Sequence, residues 1–102
     1  MNPQELAKSI KARKPLVVID VRSGFEYRSG HIPGSIHAPT WKILFRLANL
    51  PSDKDTQLVV TCEHGPRAQL AKTMLAAFGH RNVVLLEGHM AGWRRGRLPQ
   101  ER

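Results

Sequence analysis

Apolar residues follow two rhythms along the chain: short continuous runs, and stretches that recur every three or four positions. Leu16, Val17, Val18, Ile19 and Val21, interrupted only by Asp20, form a β-branched run too continuous for a strand with one wet face. Such a run suits a strand covered on both sides. Residues 57–62 and 82–87 are of the same type, and a briefer strand is predicted at 35–38, after the Pro33-Gly34 turn. The stretches between them have helical spacing. Asn2, Pro3 and Glu5 suit the N-cap, first and third positions of a helix whose Leu6 and Ile10 face the core. Ser23 and Glu26 have capping-box spacing, which predicts a short helix to about Ser29, ended by Gly30. A third helix is expected through 41–49, capped by Thr40, with Trp41, Leu44, Leu47 and Ala48 on one face and Pro51 preventing continuation. After Gly65 and Pro66, the residues Leu70, Ala71, Met74, Leu75 and Phe78 trace another amphipathic helix, stopped at Gly79.

Strands alternating with helices at these spacings imply right-handed crossovers and a mainly parallel sheet with helices on both faces, so the fold class is α/β. The expected strand order is 35–38, 16–21, 57–62, 82–87. In such sheets, sites lie beyond the carboxyl ends of the strands. Cys62 is the last residue of one of them.

Composition narrows the class. A chain of 102 residues reads as one domain over 1–102, and no apolar run approaches the roughly twenty residues that span a bilayer. The single cysteine excludes an internal disulfide framework and fits a reducing cytoplasm. The formal charge is +8, with nine basic and five acidic residues up to Cys62 and seven and three after it. That even spread disfavours a nucleic-acid-binding arm and favours a general field that draws small anions or an acidic partner.

The segment Cys62, Glu63, His64, Gly65, Pro66, Arg67, Ala68 runs from a buried strand through a loop into a helix start. A cysteine there would face loop N–H groups and the positive end of a helix dipole, both of which stabilise a thiolate. Gly65 can close the loop by taking positive φ, and Arg67 could meet a bound anion or brace the loop against a carboxylate. Pro66 supplies no N–H, and Ala68 supplies no hydroxyl. Glu63 would oppose the thiolate if it faced inward and would matter little if it faced outward. The bland alternative is that Cys62 is a small buried hydrophobe.

This loop resembles the C-x-x-G-x-R active-site loop of rhodanese-like single-domain sulfurtransferases, which Cys62, Gly65 and Arg67 match position by position. Upstream, Asp20-Val21-Arg22 and Glu26 to Ile36, including His31, Pro33 and Gly34, resemble the family's D-V-R and E-x-x-x-G-H-I-P-G-A-I signature. Downstream, Gly88, His89 and Trp93 resemble its G-G-x-x-x-W ending, with His89 replacing the second glycine. The resemblance implies a three-layer sandwich around a sheet of four to five parallel strands, the first edge strand being absent or very short here. It also implies transfer of a sulfane sulfur through a Cys62 persulfide, from a small anionic donor such as thiosulfate to a thiol, cyanide or protein acceptor, with no metal or cofactor. Related phosphatases place seven residues in the loop, and from Cys62 to Arg67 there are six. Sulfur chemistry therefore outranks phosphate chemistry, and a non-catalytic module binding an acidic partner is the other alternative.

Other residues invite roles. His64 is read as shaping the loop or touching the donor, because a dipole-activated thiolate needs no base. Asp20, Arg22, Glu26, His31, Pro33 and Gly34 are read as fold signatures, with Arg22 and Glu26 paired four residues apart. Trp41 and Trp93 could wall the pocket or pack in the core. The basic tail over 94–102 is read as solvated and partly disordered.

Overall fold

The computed structural model describes residues 1–102 as nine elements: α1 (Pro3–Lys11), β1 (Leu16–Asp20), α2 (Gly24–Ser29), β2 (Ile36–His37), α3 (Thr40–Leu44), β3 (Gln57–Thr61), α4 (Pro66–Ala77), β4 (Val83–Leu85) and α5 (His89–Arg95). The four strands form one sheet in the order β2-β1-β3-β4. All three pairings are parallel, with Val18 beside Val59 and Ile19 beside Val60 in the central pair. The fold is α/β with the expected strand order.

Side chains alternate across a strand, so each apolar run feeds two cores. Ile19, Leu58 and Val60 pack with Val21 and Cys62 against Ile43 of α3 and Ala68, Ala71 and Leu75 of α4. Val18 and Val59 point the other way, to Leu6 of α1 and to Met90 and Trp93 of α5. The helices therefore lie in two layers. Local signals set several boundaries: Asn2 caps α1 by accepting from the Glu5 N–H, and Ser23 and Glu26 form the reciprocal capping box of α2.

Three expectations are corrected. First, α3 is five residues long rather than nine, with Ile43 as its buried residue, and Trp41, Leu44 and Leu47 are exposed. Arg46 takes φ +57, Leu47 N donates to Lys42 O and Arg46 N to Ile43 O, so a Schellman turn closes the helix early. Its N-cap position is Pro39 rather than Thr40, with no side-chain cap bond. Second, Leu70 of α4 points to solvent and Ala68 is buried. Third, the tail folds back onto the domain. A second Schellman turn, with Arg97 at φ +53, redirects it so that Trp93 Nε1 donates to Pro99 O at 2.8 Å. His31 and Glu101 then exchange two backbone bonds, and Glu101 Oε1 accepts from Gly34 N at 2.9 Å. Of the two readings of Trp93, core packing is the one formed, with the side chain 1% exposed.

The outer edge of β4 carries only a vestige of a fifth strand. Met1 lies beside it, its backbone nitrogen donating to Leu85 O at 3.1 Å and its carbonyl accepting from Glu87 N at 2.9 Å.

Candidate active site

Cys62 follows directly on β3, at the carboxyl end of the central strand pair, and α4 begins four residues later at Pro66. The loop is short because Gly65 turns it with φ +136, a conformation that L side chains rarely adopt. Pro66 sits in the first turn of α4, where its missing N–H has no helical partner to lose. The Gly65 N–H donates to Cys62 Sγ at 3.0 Å. The sulfur thus accepts a hydrogen bond at the N-terminus of a twelve-residue helix, a setting that favours negative charge on it. Cys62 is 1% exposed, so the thiol lies beneath the loop rather than on the surface.

The expected cradle of successive amides is narrower than its sequence suggests. The Cys62 N–H turns away from the loop and donates to Nδ1 of His89 at 3.3 Å. His89, at the start of α5, is 8% exposed with φ +51. Its Nε2 would lie 3.3 Å from a Cβ placed on Gly65. The imidazole therefore underlies the loop from Cys62 to Gly65, and the bond to Nδ1 fixes the neutral tautomer with the proton on Nε2. Burial pushes the His89 pKa down, and the neighbouring His64 adds to that shift. Sequence reasoning treated His89 only as a bulky replacement for glycine; the signal lay in a polar ring at a position that follows the last strand. His64 itself is exposed.

Two arginine-carboxylate chains hold the loop. Arg67 is bidentate to Glu26, at 2.6 and 3.0 Å, and so ties the start of α4 to α2. This pair holds the Glu26 carboxyl down to about 2, the Arg67 hydrogen bond outweighing burial, with the Ser23 cap contributing. Arg67 is raised in turn, first by Glu26 and against burial, then by the charges of Cys62 and Asp20. Of the two roles expected for Arg67, bracing against a carboxylate is the one formed. The second chain is buried: Arg22 makes four hydrogen bonds to Asp20, three of them from its guanidinium, and Nη2 donates to Gly30 O at 2.7 Å. The expected Arg22 to Glu26 pair does not form, because Arg22 precedes the Ser23 cap and so lies outside α2.

Arg22 also reaches Glu63 at 3.5 Å, and Arg94 of α5 closes on the other Glu63 oxygen. The Glu63 charge, placed beside Cys62 in the sequence, is shared between two guanidinium groups. The role of Arg94 was hidden within a basic run that reads as tail. His31 serves the frame: its ring stacks on Tyr27 at 3.7 Å, and His37 stacks on Tyr27 at 4.6 Å. His31 Nδ1 donates to Tyr27 O, and His37 Nε2 donates to Arg22 O, both at 2.7 Å. Gly34 turns with φ +77, and Pro33 lies at the edge of a groove near Trp93. Trp41 lines a different cavity, which it shares with Arg67. Nowhere do three His, Cys, Asp or Glu side chains converge as metal ligands.

A thiol sulfur at a helix N-terminus, on a six-residue loop beyond a parallel strand, lies where parallel α/β sheets place their sites. The model of the rhodanese-like domain matches residues 2–95, and the chain belongs to that family. It is 34% identical over 92 residues to the thiosulfate sulfurtransferase GlpE of Pseudomonas savastanoi pv. phaseolicola, covering 90% of this chain and 84% of that protein. A sulfurtransferase of Allochromatium vinosum is 27% identical over 99 residues, covering 97% and 91%. Among solved structures, a rhodanese-related protein from Thermoplasma volcanium superposes with a TM-score of 0.83 at 31% identity, over 99% of this chain and 95% of that one.

Proposed function

We propose that this chain is a sulfurtransferase that moves a sulfane sulfur from a donor such as thiosulfate to a thiol, cyanide or protein acceptor through a persulfide on Cys62. The observation that carries the reading is the 3.0 Å bond from the Gly65 N–H to Cys62 Sγ at the start of α4. In the loading step, the Cys62 thiolate attacks the outer sulfur of thiosulfate. The new S–S bond forms as the old one breaks, and the electron pair leaves on sulfite. In the second step, cyanide or a thiolate attacks the terminal sulfur, and the pair returns to Cys62. Two displacements replace one difficult transfer. The Gly65 amide and the helix dipole stabilise negative charge on sulfur in the ground state and in both displacements. Burial of Cys62 restricts the donor to one that presents a single terminal atom to the loop, which a thiosulfate sulfur does. Nucleophilic chemistry on an unpaired thiol suits a reducing compartment, so a cytoplasmic location belongs to the proposal.

The relatives named as thiosulfate sulfurtransferases support the donor class. The reading is tested by incubating the protein with thiosulfate and cyanide and measuring thiocyanate. The expected result is turnover that Cys62→Ser abolishes. Turnover that persists in Cys62→Ser contradicts the assigned nucleophile.

A further inference from the structure

A cavity of about 480 Å³ opens between α2 and α3, and Arg67 links it to the Cys62 loop. Its walls include Arg28, Lys42, Arg67, His37 and Trp41, and no aspartate or glutamate. Arg67 is already committed to Glu26, whereas Arg28 and Lys42 take part in none of the chain's ion pairs. Lys42 Nζ lies 5.6 Å from the Trp41 ring centroid. At the rim Trp41 is 53% exposed, and Leu44 and Phe45 beyond it in the chain are 55% and 67% exposed. Trp41, Leu44 and Phe45 follow helical spacing, so they form one exposed apolar face of α3.

Solvent-facing aromatic and aliphatic side chains grouped around free cations mark an interaction surface rather than a solvated helix. A small sulfur donor has no apolar part to match such a rim, and an acidic peptide with an apolar residue matches both parts. We propose that this face docks an acidic protein segment whose cysteine thiol accepts the sulfur from Cys62. The inference rests on the sulfur-transfer reading for its second half only. The acceptor thiolate attacks the terminal sulfur, the Cys62 S–S bond breaks, and the acceptor leaves as a persulfide while the Cys62 thiolate is restored. Arg28 and Lys42 hold the carboxylates, and Trp41 packs against the apolar residue beside the thiol.

The test uses two synthetic peptides, each with a central cysteine next to leucine, one flanked by glutamates and the other by lysines. Serine versions, labelled and followed by fluorescence anisotropy at low ionic strength, read docking without chemistry. The acidic peptide should bind at least tenfold more tightly than the basic one, and Arg28→Glu/Lys42→Glu should remove that preference. Lys8→Glu/Lys11→Glu makes the same change in net charge on α1, on the other face of the sheet, and should leave most of the preference intact. Trp41→Ala should weaken binding about threefold. Equal binding of the two peptides, or equal effects of the two charge reversals, overturns the proposal. Attachment to phosphatidylglycerol vesicles in the absence of peptide binding assigns the face to a membrane and also overturns it. With the cysteine peptides, persulfide-loaded protein should lose sulfur fastest to the acidic one, while loss to cyanide changes less than twofold in Arg28→Glu/Lys42→Glu. If thiosulfate loads no sulfur but the acidic peptide still docks selectively, the catalytic reading fails and the docking site stands.

Discussion

At the carboxyl end of the sheet, the Arg22 and Asp20 side chains are 3% and 1% exposed, whereas at the amino end Arg81 and Asp55 are 65% and 68% exposed. Asp20 ends β1 and Arg22 lies two residues on, whereas Asp55 and Arg81 lie in the segments that lead into β3 and β4, and both pairs have contacts below 3 Å. Their surroundings make them different devices. A buried charge pair costs desolvation and repays it only when every donor and acceptor is used, as Arg22 does with Asp20, Gly30 and Glu63. An exposed pair competes with water and salt and fixes little. The carboxyl end is thus tied together by buried contacts around Cys62, and the amino end is merely closed. Sheet physics supplies the reason, since loops beyond the carboxyl ends hold the site while loops at the other end only reconnect the chain.

The comparison can be broken most severely at Arg22. Arg22→Ala leaves the buried Asp20 carboxyl without its guanidinium partner, and the expected loss is about 3–5 kcal/mol in denaturant unfolding. A change below about 1 kcal/mol would mean that the pair is not the anchor of this end.

His89 comes next. His89→Ala removes the acceptor of the buried Cys62 N–H while keeping a side chain at positive φ, and should cost about 1–3 kcal/mol. His89→Gly loses the same bond but relieves the left-handed backbone, so it should be less destabilised than His89→Ala by about 1 kcal/mol. Equal losses would contradict the strain assigned to that position. The His89 pKa is lowered on folding, so the neutral ring contributes stability that is complete above its ordinary value near 6.5 and is lost as pH falls. His80, lowered by its burial at the amino end and by Lys54, adds to the same decline. Unfolding measured across this range should show a slope that shrinks in His89→Gln and vanishes when His80→Gln is added.

The Glu26 to Arg67 pair lies between the extremes, with side chains 30% and 43% exposed. Glu26→Gln should cost about 1 kcal/mol at most at neutral pH, given solvent screening. Because the Glu26 pKa is depressed on folding, its contribution is present above the ordinary 4.5 and is lost as pH falls toward about 2. Acid unfolding of Glu26→Gln should therefore be flatter in that window. The smallest effect belongs to Arg81→Ala, whose unfolding midpoint should match that of the parent chain. A clear loss there would erase the contrast between the two ends.

Much of the carboxyl end could be read from the sequence because its chemistry is local. The order strand, cysteine, glycine, helix start fixes where a thiol sits relative to a dipole, and Ser23 with Glu26 fixes a cap from spacing alone. The long-range partners were not readable. Glu26 bonds Arg67 forty-one residues away, and Glu63 bonds Arg94 thirty-one away, so the pairing of Arg22 with Glu26 from their proximity in sequence was a natural error. Helix ends failed for a different reason. Arg46 and Arg97 occupy left-handed positions usually given to glycine, so neither turn carried its usual sign. Trp41 and Leu44, expected in the core, are exposed on α3, and Trp41 lines the cavity beside Arg67.

The most direct measurement is the intact mass of the protein after treatment with thiosulfate and removal of excess donor. Sulfur transfer through Cys62 requires a gain of one sulfur atom, lost again on adding cyanide and absent in Cys62→Ser. An unchanged mass in the parent chain, or the same gain in Cys62→Ser, contradicts it.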